Sequence, residues 1–436
     1  MNIYQQWGFG DSPFQVSPLP PSALGEKLLI GRDDELKTLK RRLFNPPKIS
    51  TIEGLNGVGK TSLVNVAAYQ VYSAALSGSD GPLLIPCNTI FQLSASKDSE
   101  EFIDDVLMAV AQTLIERAKA IGGSSAINAK QLDSWLNAPQ VSSLQGSLSI
   151  IGNGGGIGKT VETNTSSGFE RSGFRKEVLK WLSDLFPTPN DGAVICTIDN
   201  LELLQTSDTV RHRLEELRDK LLNIQGLRWV LCGALGIVLG TVSSPRLEGF
   251  LHSPIEVLGV DDSLTAEIYN SRISAYSNLE DPRNSPYLPL CVDDFERLYE
   301  ILHRILRSTL SKADSFCQWV ADNYQPDTYP ADTAAKRHAF SLWLSDESSR
   351  ALRAANDVLR PRAWRVFEDA IIQNGVFSPS DYDSFGFNSL QAFRPYVKAL
   401  EDAGLLVSTQ DEGDKRRKTI QITALGWLVK FAKKHS

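Results

Sequence analysis

At 436 residues the chain is long enough for two or three domains with sizeable cores. Its 42% apolar and 22% charged residues are an ordinary globular balance, which excludes a disordered or fibrous chain. A net charge of −7 excludes a chain that is polybasic throughout, while leaving room for a local basic surface.

The first 25 residues, rich in Pro, Gly and aromatics (Trp7, Phe9, Phe14), read as an extended arm packed on the body. Residues 33–44 follow as a helix. Strands are expected at 50–53, 83–87, 193–198, 227–232 and 255–258, separated by helical stretches at 60–76, 98–121, 174–186 and 209–224. Strands alternating with helices imply a parallel sheet covered on both faces. Residues 122–172 form a Gly-, Ser- and Asn-rich insertion, read as a loop with one hairpin strand at 147–151. Beyond residue 258 the chain reads as helices at 262–276, 292–311, 314–324, 334–344 and 348–359. The division expected is 1–25 arm, 26–260 core, 261–360 helical lid and linker, and 361–436 C-terminal domain. The five cysteines (Cys87, Cys196, Cys232, Cys291, Cys317) form no C-x-x-C pair and read as reduced thiols. The start of the chain lacks a signal-peptide pattern, and no apolar run reaches the roughly 18 residues of a membrane span. A cytoplasmic protein with no membrane partner is the expectation.

The most specific signal is Gly54-Leu55-Asn56-Gly57-Val58-Gly59-Lys60-Thr61, which fits G-x-x-x-x-G-K-[ST] at every fixed position. Such a loop curls its backbone N–H groups, here from Asn56, Gly57, Val58, Gly59, Lys60, Thr61 and Ser62, toward one phosphate. Lys60 is placed to reach the β/γ-phosphates, and the Thr61 hydroxyl to ligate Mg²⁺. ATP and Mg²⁺ are therefore the expected cofactors. A near-copy at residues 152–160, ending Gly158-Lys159-Thr160, has Asn153 where the first glycine belongs and is followed by a poor helix former.

The buried run Ala193-Val194-Ile195-Cys196-Thr197-Ile198 ends at Asp199, a carboxylate placed to hold Mg²⁺ through water. The next residue is Asn200, not the Glu that often activates the attacking water. Glu202 is the candidate substitute, so binding of ATP is the firmer expectation and slow or partner-stimulated hydrolysis the next.

The order of a Gly-Arg box (Gly31-Arg32-Asp33-Asp34-Glu35-Leu36), phosphate loop, Asp-ended strand, the run 227–234, then Pro245-Arg246-Leu247 and a helical lid resembles AAA+ ATPases. The similarity is to the branch of origin-recognition and replication-licensing initiators, and also to the STAND signalling NTPases. It covers about residues 25–325. The resemblance implies a phosphate-loop NTPase αβα core with a parallel sheet and an all-helical lid. It further implies Gly31 and Arg32 near the adenine, Cys232-Gly233-Ala234 at the sensor-1 position, Arg246 as an arginine finger toward a neighbouring subunit, and Arg307 near the sensor-2 position. Catalytic roles thus fall on Lys60, Asp199, Glu202 and Arg246.

The last 75 residues read as helices at 363–373, 379–385 and 388–403, strands at 405–410 and 418–423, and a final helix from 423. They resemble the MarR-type winged helix-turn-helix, carried by Leu400-Glu401-Asp402-Ala403-Gly404-Leu405-Leu406, Asp414-Lys415-Arg416, Ile422-Thr423 and Gly426. Arg394 and Lys398, four apart on the third helix, and the consecutive cations Lys415, Arg416, Arg417 and Lys418 are the candidate DNA contacts. Against this, eleven Lys/Arg face nine Asp/Glu over 361–436, and Pro395 interrupts the third helix. The partners expected are DNA, further copies of the chain, and a protein effector if the winged helix contacts protein.

Overall fold

The computed structural model describes residues 2–78, 81–94, 97–117, 171–204, 207–234, 238, 244–277, 286–409 and 419–435. The expected insertion, with its hairpin strand and near-copy loop, lies outside the described residues except for its last two, 171 and 172, which open the helix Arg171–Leu185; Lys415, Arg416, Arg417 and Lys418 lie outside them too.

Five strands, β1 (Ser50–Gly54), β2 (Leu83–Gln92), β3 (Gly192–Asp199), β4 (Leu227–Gly233) and β5 (Ile255–Val257), form one parallel sheet in the order β2-β3-β4-β1-β5. The register sets Ser50 beside Val230 and Val194 beside Leu227. β3 and β4 are buried along their whole length, so their side chains alternate between two apolar layers. Val194, Cys196 and Ile198 point into a cluster with Val106, Val110, Val178 and Leu214 of the helices Ser99–Arg117, Arg171–Leu185 and Ser207–Leu217. Ala193 and Ile195 point the other way, to Leu63, Val66 and Leu39 of the helices Lys60–Leu76 and Asp33–Phe44. This is the αβα core that the alternation of strands and helices predicts. Beyond it lies the all-helical lid, and then a C-terminal region of helices and a small sheet.

The lid helices differ in their breaks from the sequence reading. One helix ends at Ile301 and the next runs Leu306–Asn323, where 292–311 and 314–324 are predicted. The break is made by His303 and Arg304, both left-handed (φ 55° and 61°), with the Arg304 amide returning to Tyr299 O at 3.0 Å. Conversely, the two helices predicted at 334–344 and 348–359 are one, Thr333–Val358. The polar run 345–349 stays helical because Glu347 pairs with Lys312 at 2.5 Å, Arg350 with Asp346 at 2.8 Å, and Ser348 is buried.

The C-terminal region holds helices Pro361–Ile372, Leu390–Asp402 and Ala424–His435 against the strands β6 (Val376–Phe377), β7 (Leu406–Thr409) and β8 (Thr419–Ile422), ordered β6-β8-β7 and antiparallel. Phe377, Phe385, Phe387 and Phe393 close its interior, the Phe385 and Phe393 rings 4.9 Å apart. Pro395 sits inside the third helix, sixth of its 13 residues. One apolar cluster runs on from there through the lid, by way of Phe316 and Phe340, to Tyr4, Trp7, Phe9 and Phe14 of the N-terminal segment. That segment contains two short helices, Ile3–Gln6 and Ala23–Leu28.

The lid break touches the last helix directly. The His303 ring stacks on Trp427, centroids 4.3 Å apart and planes at 17°. Burial, then the nearby Lys430 and Arg304 charges, hold its imidazole below the usual value of 6.5, against a bond to the Asn374 backbone. The folded state thus binds fewer protons than the unfolded chain just below pH 6.5, so this contact loses stability as pH falls through that window. His303→Asn tolerates the left-handed backbone and does not titrate. Thermal unfolding at pH 7.5 and 5.5 is expected to show a steeper acid loss of Tm in the wild type than in the variant; parallel losses contradict it.

Candidate nucleotide site

β1 delivers the phosphate loop at the carboxyl end of the sheet, and the helix Lys60–Leu76 begins at the loop's last turn. The loop needs its glycines for two separate reasons. Gly57 (φ 85°) lies under the lid, where an added Cβ would meet Arg307 Cβ at 2.9 Å. Gly59 (φ 103°) takes the left-handed turn into the helix.

Lys60 is buried, and its Nζ donates to Gly54 O at 2.9 Å and Leu55 O at 3.2 Å, folding the side chain over the loop. Its partners are carbonyls, and no ion pair of the described residues includes it. A buried ammonium without a counter-charge is costly, and an anion at the loop relieves that cost.

Thr61 Oγ1 donates to Asp199 Oδ2 at 2.6 Å, so the helix start and the end of β3 converge. Asp199 is buried, and its other oxygen, Oδ1, accepts the Asn200 amide at 2.9 Å. Asn200 itself is left-handed (φ 56°), which turns the chain sharply after β3. A hydroxyl and a carboxylate oxygen meeting at a phosphate loop are the hard donors that suit Mg²⁺, which takes one or two protein oxygens and fills its octahedron with phosphate and water. Among the described residues no group of three or more His, Cys, Asp or Glu could hold a metal unaided. The donors therefore fit a nucleotide-bound Mg²⁺ held by Thr61 and Asp199.

The remaining candidates divide. Asn56, Gly57, Gly59, Lys60, Thr61, Ser62 and Arg307 line one cavity together with Asn200. Val58 is buried, its carbonyl accepting Arg32 Nη2 at 3.1 Å. The same Nη2 reaches Leu258 O at 2.6 Å while Nη1 pairs with Glu35 at 3.0 Å, so buried Arg32 ties the Gly-Arg box to the loop and the end of β5. Gly31 backs onto Val260 and Leu264 at the entry to the lid. Arg307, at the start of its helix, donates its amide to Gly57 O at 3.2 Å, which docks the lid on the loop.

Glu202 is turned to the end of β4, where its Oε2 accepts the Ala234 amide at 3.0 Å, and it does not line the cavity. The Cys232 thiol beside it is buried and pushed well above the usual range, first by burial and then by Asp199. Arg246 lies on the surface between β4 and β5, 76% exposed, with Nη1 3.8 Å from Glu215. It is outside this chain's own cavity. Arg394 and Lys398 are exposed on the Leu390–Asp402 helix, opposite buried Phe393, Val397 and Leu400.

Besides Leu306 and Leu310, on the same helix as Arg307, sequence reasoning missed two contributors to the cavity. Residues 16–18 of the N-terminal segment form part of its wall, and Arg272 of the helix Thr265–Tyr276 forms another part. Neither belongs to a motif; only the packing reveals them.

No family model and no curated protein matches the chain. Solved structures similar to it include the ORC1 protein of Aeropyrum pernix in complex with DNA, at 15% identity over 98% of both chains and a TM-score of 0.42. The ORC2 protein of the same organism, in ADPNP-ADP complexes, is 11% identical over 97% of this chain and 96% of its own, TM-score 0.46. A Walker-type ATPase of Pyrococcus abyssi is 14% identical over 95% of this chain and 99% of its own, TM-score 0.45. The functional reading that follows therefore rests on the residues of this chain.

Proposed function

We propose that the chain is an ATP-binding and ATP-hydrolysing switch of the AAA+ type that acts on or near DNA. The observation that carries the nucleotide reading is the Thr61–Asp199 contact of 2.6 Å, set beside buried, carbonyl-held Lys60. Hard oxygens for Mg²⁺ and an unpaired cation for phosphate meet at one loop between core and lid. When bound, Mg²⁺ would supply neutralisation of charge on the phosphate oxygens. Lys60 would bind those oxygens, the loop amides would orient them, and Arg307 would close the lid over them. Asn200 follows Asp199 where a water-activating Glu is common, so turnover is slow or partner-stimulated. Arg246 would serve the site of a second copy in an assembled oligomer; its 76% exposure, outside its own site, supports this reading.

The domain division proposed is arm 1–25, core 26–260, lid 261–360 and winged helix 361–436. The continuous apolar cluster from lid to C-terminal region and the His303–Trp427 stack support mechanical coupling between nucleotide site and winged helix. DNA contact is assigned to Arg394 and Lys398, exposed on the third helix, and to the wing cations Lys415, Arg416, Arg417 and Lys418. Neutralising those four wing residues is expected to weaken duplex binding at every sequence. It should also flatten the log-log dependence on salt by up to roughly 0.9 for each phosphate that is no longer neutralised. An unchanged salt slope in anisotropy titrations overturns the wing's role.

A second reading is a STAND-like adaptor whose winged helix contacts a protein effector, as in a prokaryotic antiviral system. One observation favours it: Val358, at the end of the last lid helix, and Ile372, at the end of the first helix of the C-terminal region, are 64% and 78% exposed, the two most exposed large apolar side chains among the described residues. ATPase rates with and without duplex DNA separate the two. Stimulation by DNA supports the first reading, and ATP-driven assembly indifferent to DNA supports the second.

A further inference from the structure

Arg272 is 4% exposed, yet among the described residues no ion pair includes it. Its Nη1 donates to two carbonyls of the N-terminal segment, Pro13 O at 3.1 Å and Gln15 O at 3.3 Å. Its Nε is buried with no hydrogen-bond partner among the described residues. Burial pulls the guanidinium down to about 10, in the direction expected of a desolvated cation, and no carboxylate restores it. An arginine carries five donors in a fixed planar fork, so a guanidinium using one nitrogen on carbonyls keeps one edge for another acceptor. That side chain lines the same cavity as Lys60, Thr61 and Arg307.

The N-terminal segment is fixed to the site from the other side as well. The Leu19 amide donates to Ser62 Oγ at 3.0 Å, and Asn65 Nδ2 donates to Leu19 O at 2.8 Å, both on the helix that follows the phosphate loop. Residues 13–19 therefore span from the lid helix to the loop helix, and residues 16–18 form cavity wall between the two anchors.

We propose that Arg272 is a phosphate-binding residue of this site, and that through it the phosphates of a bound nucleotide fasten the N-terminal segment across the cavity. One edge of the guanidinium takes a phosphate oxygen while Nη1 keeps the carbonyls of Pro13 and Gln15. The acceptor is an anion of high charge density, because a buried cation without a counter-charge is stabilised most by such a group. The inference rests on the nucleotide reading above and adds to it a residue from a third element and an ordered strap.

The test is equilibrium binding of Mg-ATP to the full chain, with hydrogen exchange of the peptide covering residues 13–19 read in parallel. Arg272→Gln is expected to raise Kd roughly tenfold to a hundredfold, the range for removal of one charge-assisted hydrogen bond. Arg272→Lys keeps the charge and a donor for the carbonyls but not the fork, and is expected to weaken binding by about threefold or more. In the wild type, ATP should slow exchange across 13–19; in Arg272→Lys the slowing should be reduced. A wild-type Kd in both variants, with only the melting temperature lowered, makes Arg272 a structural tie and overturns the proposal. If Arg272→Gln does not fold, Arg272→Lys decides the question. Lys60→Ala separates the two levels: ATP bound by the wild type, lost in Lys60→Ala and unchanged in both Arg272 variants removes this inference alone. Wild type that binds no ATP removes both.

Discussion

Lys60→Ala is expected to abolish measurable ATP binding. The ammonium is buried, is held by Gly54 O and Leu55 O, and has no carboxylate among the described ion pairs. Phosphate oxygens would be its charged partners, so removing it leaves that charge density in a pocket with one cation fewer. Truncating one member of a buried charge-assisted pair costs about 2–5 kcal/mol, which corresponds to a loss of roughly 30-fold to several thousandfold in affinity. Titration calorimetry of wild type and variant reads this directly. The near-copy loop supplies the control. Lys159→Ala should bind ATP normally, and the reverse outcome, a dead Lys159 variant beside a normal Lys60 variant, moves the site to residues 152–160.

Asp199→Asn is expected to separate binding from turnover. Asn keeps an oxygen for the Asn200 amide and nearly the shape of the carboxylate, but not its charge. Nucleotide binding without Mg²⁺ should change little. Mg²⁺-dependent hydrolysis should fall by about a hundredfold or more, since a metal contributes several kcal/mol to charge stabilisation in the transition state. The measurement is kcat against Mg²⁺ concentration. An unchanged kcat at saturating Mg²⁺ would mean that Asp199 only shapes the turn after β3.

The centre of the site is legible in the chain because its chemistry is local. A phosphate loop needs glycines, a lysine and a hydroxyl at fixed spacing between a strand and a helix, and residues 54–61 meet every condition. β3 is legible because a strand buried on both faces must be a continuous apolar run, and Asp199 stands where that run stops. What depends on tertiary contact is not legible. The lid break at His303 and Arg304 uses left-handed residues other than glycine, so nothing punctuates it. The run Ser345-Asp346-Glu347-Ser348-Ser349 has the composition of a turn, yet ion pairs and the burial of Ser348 keep it helical. Arg272 reads in sequence as one more charge on a helix. Its burial arises because segments 13–15 and 265–276, some 250 residues apart, close on each other. Glu202 shows the converse: its position two residues after Asn200 invites a catalytic role, while its carboxylate is committed to the Ala234 amide.

Placing the nucleotide by chemistry tests the whole account most directly. Photolabelling with an azido-adenine analogue of ATP, followed by mapping of the modified peptides, reports where the base sits. Label is expected on peptides containing residues 16–18 or the Gly31-Arg32 box, competed away by ATP and absent in Lys60→Ala. Specific label confined to residues 152–170, surviving Lys60→Ala, would contradict the assignment of the nucleotide site to residues 54–61 and Asp199.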